Sequence, residues 1–60
     1  MMSELPRDPV MLLSVVNTKL RDFYPDLDTF CREQCIEKEE LTQRLRQIDY
    51  EYDMERNQFV

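Results

Sequence analysis

The sequence predicts a mainly helical domain of the α+β class, in which three helices are followed by a C-terminal β-hairpin. Apolar residues recur at helical spacing in three segments, and an acidic residue stands at the start of each one. Residues 50–60 instead carry aromatic and β-branched side chains that favour strands. An all-α alternative, in which the third helix continues to the C-terminus, stays open because residues 38–60 contain neither proline nor glycine.

The chain length of 60 residues allows one small domain, 1–60. A chain of this size buries only about 60% of the surface that its unfolded form exposes, so we expect marginal stability. Residues 1–7 contain one proline and show no apolar periodicity. They are predicted to form an extended lead-in to the first helix.

The first helix is predicted over residues 9–24. Asp8 can cap it with its side chain, and Pro9 suits the first helical position, where a missing N–H is harmless. Pro25 ends it, because the residue before a proline is pushed out of helical geometry. One broad apolar stripe faces the core and comprises Leu12, Leu13, Val16, Leu20, Phe23 and Tyr24.

Met11 and Val15 lie off that stripe, on the other side of the first helix. Isolated apolar residues are common on protein surfaces and need no explanation. Alternatively, these two side chains contact the C-terminal segment or a second subunit. We favour the second interpretation, because so small a domain has few apolar residues to spare.

The second helix is predicted over residues 27–34. Asp26 can cap it, and Asp28 in its first turn interacts favourably with the positive end of the helix dipole. Its buried face comprises Leu27, Phe30 and Cys31, with Gln34 or Cys35 at the end. A short connection over residues 35–37 follows.

The third helix is predicted over residues 38–48, with a narrow apolar stripe made by Leu41, Leu45 and Ile48. Its charges complement the helix dipole, since acidic residues stand at its start and arginines towards its end. The residues are Glu37, Glu39, Glu40, Arg44 and Arg46, of which Glu40 and Arg44 form an i,i+4 pair.

The hairpin is predicted over residues 50–60. Tyr50 to Tyr52 forms one strand and residues 58–60 the other, while residues 53–57 turn, with Asn57 tolerating a positive φ. A lone hairpin is unstable in water, so its aromatic face must pack on the helices. The predicted core comprises Leu12, Val16, Leu20, Phe23, Phe30, Leu41, Leu45, Ile48 and Tyr52.

The composition excludes several classes of function. The chain has no glycine, so it lacks the glycine-rich loops that cradle phosphates. It has no histidine, so it has no Ser-His or Cys-His pair and no imidazole metal ligand. No carboxylate pair is marked as buried. We therefore expect no enzyme activity, no cofactor and no metal.

Cys31 and Cys35 stand four residues apart, so on a helix they share a face but are poorly aimed for a mutual disulfide. We favour the interpretation that both cysteines act as small hydrophobic residues, buried or half-buried. The alternative is a metal or disulfide shared across a dimer. The longest apolar run, Val10–Leu13, is too short to span a membrane, and the residues before it lack the basic leader and the cleavage site typical of a signal peptide. We therefore expect a cytoplasmic protein.

The sequence resembles a family of short bacterial proteins, about 60 residues long, catalogued as a domain of unknown function. The resemblance rests on four blocks, Asp8–Tyr24, Leu41–Leu45, Tyr50–Asp53 and Asn57–Val60. It implies a bacterial, intracellular protein and brings no catalytic residues. Relatives often have glycine where this chain has Asp49, which implies a left-handed helix end before a strand.

Three helices and a hairpin give the outline of a winged helix-turn-helix, in which the second and third helices would bind DNA. The charge argues against this function. The chain carries 8 basic and 13 acidic residues, a net charge of −5, and three of the four residues at 37–40, where the third helix starts, are glutamates. DNA affinity depends mainly on cationic contacts to phosphates. Arg44, Arg46 and Arg56 could still form a local basic patch.

We therefore favour a function as a protein-interaction module, which binds either a protein partner or a second copy of the chain. The candidate surface comprises Met11, Val15, Phe59 and Val60. An edge strand at Phe59 and Val60 could pair with its copy in another chain, which would produce a homodimer. The acidic surface would suit a basic partner.

Overall fold

The computed structural model describes residues 5–60 and contains three helices followed by a two-stranded antiparallel sheet. The elements are α1 (Pro9–Asp22), α2 (Leu27–Gln34), α3 (Lys38–Arg46), β1 (Tyr52–Asp53) and β2 (Gln58–Phe59). This architecture confirms the predicted α+β fold. The all-α alternative is wrong, because α3 ends and the chain reverses. Of the predicted lead-in, residues 5–7 have no regular secondary structure, and residues 1–4 lie outside the described residues.

Helix α1 begins as predicted and ends two residues earlier than the predicted residue 24. The side chain of Asp8 accepts a hydrogen bond from the Val10 N–H at 3.3 Å, and proline occupies the first turn. At the other end Phe23 leaves helical geometry, with φ −127°. The N–H of Tyr24 then donates to the Lys19 carbonyl at 3.2 Å, which closes the helix before Pro25.

Helix α2 has the predicted bounds. The Asp26 carboxylate accepts from the Thr29 N–H at 2.6 Å, which caps the first turn. The helix ends at Cys35, whose φ of 58° places it in the left-handed region. The Ile36 N–H then donates to the Cys31 carbonyl at 3.0 Å. A cysteine thus takes the position that glycine most often occupies at helix ends.

Helix α3 ends at Arg46, two residues before the predicted residue 48. Ile48 remains in a tighter turn, since its N–H donates to the Leu45 carbonyl at 3.1 Å. Asp49 then adopts φ 65°, and the Tyr50 N–H also donates to the Leu45 carbonyl, at 3.0 Å. The left-handed helix end implied at Asp49 is therefore confirmed.

The hairpin pairs Tyr52 with Phe59 and Asp53 with Gln58. Beyond this short ladder, Glu51 and Val60 exchange two backbone hydrogen bonds, at 3.0 and 2.8 Å. The Asp53 carboxylate accepts from backbone N–H groups inside the turn, the nearer at 2.9 Å. Asn57 has φ 53°, as predicted for the end of the turn.

The core lies where α1, α2 and α3 meet the hairpin. Its buried hydrophobic residues are Leu12, Val16, Leu20, Leu27, Phe30, Cys31, Leu41, Leu45 and Phe59. Of the predicted core, Ile48 and Tyr52 are only partly buried and pack against this cluster. Phe23 is outside it.

The placement of Phe23 in the core is wrong, because 69% of this residue is exposed. Its spacing from Val16 and Leu20 put it on the core side of an ideal helix. However, α1 ends at Asp22, so the backbone at residue 23 no longer directs the side chain inwards. The Lys19 ammonium lies 5.6 Å from the ring centroid instead, in a cation–π contact at the surface.

Two asparagines attach the hairpin to α1. The Asn17 side chain donates to the Phe59 carbonyl at 3.1 Å and accepts from the Phe59 N–H at 2.8 Å. The Asn57 amide donates to the carbonyls of Leu20 and Tyr24, at 3.0 and 2.9 Å. The hairpin is therefore fixed along α1 by directional bonds as well as by apolar packing.

Candidate functional site

The outward side of α1 carries two exposed apolar side chains near its start. Val10 is 61% exposed and Met11 is 58% exposed, whereas Val15 is only partly exposed. Met11 therefore lies on the surface, as the predicted interaction site requires. Val10 is an addition that the sequence analysis missed, although its position off the apolar stripe could have revealed it.

Phe59 does not belong to an exposed surface, which corrects the predicted site. It is 1% exposed, and its ring centroid lies 5.4 Å from that of Tyr52. Its backbone groups on the edge away from β1 are bonded to the Asn17 side chain. A second strand cannot pair with β2 at this residue unless it displaces Asn17. The hairpin edge is therefore protected rather than open.

Val60 is 45% exposed, and its N–H and carbonyl are paired with Glu51. The direction of the hairpin shows where Val60 lies. Asn57 bonds to carbonyls near the end of α1, and Phe59 bonds to Asn17 further back, so the chain advances towards the start of α1. Val60 thus follows towards the end where Val10 and Met11 are exposed. We call these three residues the α1 apolar surface.

The predicted DNA-reading region, at the start of α3, is acidic. Glu37, Glu39 and Glu40 are all exposed there. The Lys38 ammonium lies 2.9 Å from an Asp28 carboxylate oxygen, and this contact raises the pKa of Lys38. The positive charge at the start of α3 is thus already paired, and the carboxylates around it would repel phosphates.

The arginine towards the end of α3 is also paired. A guanidinium nitrogen of Arg44 lies 3.4 Å from a carboxylate oxygen of Glu40, as the i,i+4 spacing predicts. Arg46 is exposed on the same helix. Of the suggested patch, Arg44 therefore lies beside Glu40 on α3, while Arg56 lies beside Asp53 in the hairpin turn.

Cys31 and Cys35 are free thiols in different surroundings. Cys31 is buried, and burial, followed by the charge of Asp28, raises the pKa of its thiol. Cys35 is exposed, and its left-handed conformation takes it off the face of α2. Within residues 5–60, no group of three or more Cys, Asp or Glu side chains could hold a metal ion.

Tyr52 links the hairpin to α2. Its hydroxyl donates to the Asn57 side-chain oxygen at 2.6 Å and accepts from the Leu27 N–H at 3.2 Å. Burial raises the pKa of this phenol. Both bonds connect structural elements, which indicates that Tyr52 positions the hairpin. Asn17 was missed, although asparagine within a helix is an unfavourable residue that hints at a tertiary bond. Asn57 was predicted only as a turn residue, without its bonds to the end of α1.

No helix in the described part of the chain is both long and apolar enough to cross a membrane. No curated protein and no solved structure matches the chain. A family described as a domain of unknown function (DUF4250) matches residues 6–59, a range that contains every helix and strand. The chain therefore belongs to this family.

Proposed function

We propose that this protein is a small protein-interaction module whose contact surface is the α1 apolar surface. The observation that carries the proposal is the exposure of three apolar side chains, Val10, Met11 and Val60, to solvent. Full burial of one such side chain contributes roughly 1.5–3 kcal/mol, so three of them provide a substantial apolar anchor. The net charge of −5 favours a partner with basic residues.

A second copy of the chain is the first partner to test. Two α1 helices packed around a two-fold axis would bring the same residues of each copy together. Small domains gain stability from oligomerisation because a single chain of this size buries little surface. Dimerisation through β2, in contrast, is disfavoured by the bonds between Asn17 and Phe59.

Sedimentation equilibrium and thermal melting at several concentrations test this proposal. We expect a monomer–dimer equilibrium at concentrations on the order of tens of micromolar, with a Tm that rises with concentration. The double variant Val10→Ser, Met11→Ser should sediment as a monomer. Met54→Ser is the matched control, because Met54 is also exposed but lies in the hairpin turn. A strict monomer without concentration-dependent melting would contradict self-association.

Binding to nucleic acid is the second candidate function, because the order of three helices and a hairpin is that of a winged helix. The net charge of −5 and the exposed carboxylates at the start of α3 oppose it. A gel shift with random-sequence duplex at low salt decides between the two functions. Binding that weakens steeply with added salt would favour the nucleic-acid function.

We also infer a cytoplasmic location and a non-enzymatic role in a bacterial cell. Two free cysteines, one of them exposed, suit a reducing compartment. Cell fractionation followed by immunodetection tests the location. Recovery of the protein from an oxidising compartment, with Cys35 in a disulfide, would contradict it.

A further inference from the structure

A cleft of about 370 Å³ lies between the last turns of α1 and the hairpin turn. Arg21 lines it from α1 and Arg56 from the hairpin, with amide and hydroxyl side chains between them. None of the described residues that line this cleft is acidic. Two other surface clefts contain both signs of charge, since each is lined by basic residues together with Asp or Glu. This cleft therefore differs from the other two because the charged residues in its lining are all basic.

Both arginines keep N–H groups available for a ligand. Two guanidinium nitrogens of Arg21 bond to Asp22, at 2.9 and 3.2 Å, and a guanidinium carries more N–H groups than these bonds use. Arg56 lies 3.8 Å from the Asp53 carboxylate, which is too far for a hydrogen bond. Neither aspartate lines the cleft. Each aspartate therefore contacts its arginine from outside the cleft.

Two carbonyl acceptors near the cleft are already occupied. The end of a helix normally presents carbonyl oxygens that repel anions. Here the carbonyls of Leu20 and Tyr24 accept hydrogen bonds from the Asn57 amide, at 3.0 and 2.9 Å. The exposed Gln58 side chain adds an amide that can donate. Two carbonyls are therefore covered, and Arg21, Arg56 and Gln58 can donate to a ligand in the cleft.

We propose that this cleft binds an oxyanion of the phosphate class, held between the guanidinium groups of Arg21 and Arg56. Planar guanidinium groups match the oxygen geometry of phosphates and form paired, charge-assisted hydrogen bonds with them. The asparagine bonds that fix the hairpin on α1 also hold the backbone segments that carry the two arginines on either side of the cleft. This binding site is independent of the proposed protein-interaction surface.

Titration with inorganic pyrophosphate, followed by NMR at constant ionic strength, tests the proposal. We expect saturable shifts of the Arg21 and Arg56 side-chain Nε–H signals and of the backbone amides at residues 56–58. The double variant Arg21→Gln, Arg56→Gln should bind at least about tenfold more weakly. Both side chains are mostly exposed, so the variant should fold, and its helical circular dichroism checks this.

The matched control is Arg32→Gln, Arg46→Gln, which removes the same charge from exposed positions elsewhere. Equal loss of affinity in both double variants would overturn the proposal, as would shifts that stay linear in pyrophosphate concentration. A short random-sequence duplex at the same ionic strength identifies the source of the phosphate. Tighter duplex binding through the same two arginines indicates a nucleic-acid backbone, and weaker duplex binding indicates a free phosphorylated compound.

Discussion

Asn17 and Asn57 connect residues that are far apart in sequence, and their side chains use both donor and acceptor groups. Asn17 satisfies the outward backbone groups of Phe59, so it replaces the neighbouring strand that β2 lacks. Asn57 bonds to two carbonyls at the end of α1 while its backbone completes the hairpin turn at φ 53°. Asn57 therefore has both a local and a tertiary role, whereas the bonds of the Asn17 side chain are tertiary.

Replacement of Asn57 by alanine should destabilise the domain by about 2–4 kcal/mol. The variant loses two donor bonds to α1, leaves the Tyr52 hydroxyl without its acceptor, and places a Cβ-bearing residue without a side-chain bond in the left-handed region. Urea denaturation measures the change in the free energy of unfolding. Gln58→Ala is the control and should have little effect, since Gln58 is exposed.

Asn57→Gly separates the two contributions. Glycine removes the conformational cost at positive φ but restores none of the hydrogen bonds. We expect this variant to recover only part of the stability lost in Asn57→Ala. Full recovery would show that the side-chain bonds to α1 contribute nothing, in contradiction to the role assigned to them.

The hydrogen bond that caps α2 at Asp26 should make the folding stability of the domain depend on pH. The hydrogen bond from the Thr29 N–H lowers the pKa of this carboxyl below its ordinary value of 3.8. Its stabilising contribution is therefore complete above that value and is lost as the pH falls through the lower, folded-state pKa. Asp26→Asn retains an acceptor oxygen without the titration. The difference in Tm between wild type and Asp26→Asn should shrink on acidification, whereas a constant difference would contradict the assignment.

At the scale of secondary-structure elements, the chain ends its helices and its turn without any glycine. Cys35, Asp49 and Asn57 instead adopt positive φ angles of 58°, 65° and 53°. Left-handed geometry costs a residue with a Cβ roughly 1–2 kcal/mol, and less for Asn and Asp, whose side chains can bond locally. These costs are offset by packing, because the core elements must turn at these points to meet. The turns are therefore imposed by the fold more than by local preference.

Two substitutions at the C-terminal end of the first helix test which of its predicted core residues are buried. Leu20 is buried, so Leu20→Ala should cost about 2–5 kcal/mol and unfold much of a marginally stable domain. Phe23 has the larger side chain but lies on the surface, so Phe23→Ala should change stability by less than about 1 kcal/mol. Thermal melting of both variants measures the contrast. A larger loss for Phe23→Ala would mean that its ring is buried in solution.

At the scale of the whole molecule, the hairpin and the helices form one cooperative unit. Each strand has only two residues in the ladder, which is too little for independent stability. Phe59 from the hairpin is among the fully buried side chains of the helical core. Loss of the hairpin would therefore open the core, and loss of α1 would release the hairpin.

Two optical probes should consequently report the same unfolding transition. Far-ultraviolet circular dichroism follows the helices. Tyrosine fluorescence follows the hairpin region, because the chain has no tryptophan and two of its three tyrosines, Tyr50 and Tyr52, lie between α3 and β2. Coincident urea midpoints confirm cooperative unfolding. A tyrosine transition at lower urea would show that the hairpin detaches first.

Local sequence signals predicted most of the secondary structure. The capping residues Asp8 and Asp26, with prolines at 9 and 25, placed the starts of α1 and α2, and these signals act within one helical turn. The ends of α1 and α3 were each placed two residues too late, because periodicity continues past the point where the backbone changes direction. The same limitation put Phe23 in the core. Phe59 was placed on the candidate surface for another reason, because an open edge strand was expected there, whereas its side chain is buried.

The sequence by itself therefore determined the order of helices and hairpin, the main core stripe and the acidic start of α3, because each depends on neighbouring residues or on composition. Only the tertiary structure decided which of the aromatic residues are buried and how the hairpin edge is covered. It also decided that Arg21 and Arg56 share a cleft. These features depend on contacts between α1 and the hairpin, which join residues 33–42 positions apart. No local pattern specifies such contacts, because they arise only when the packed elements meet.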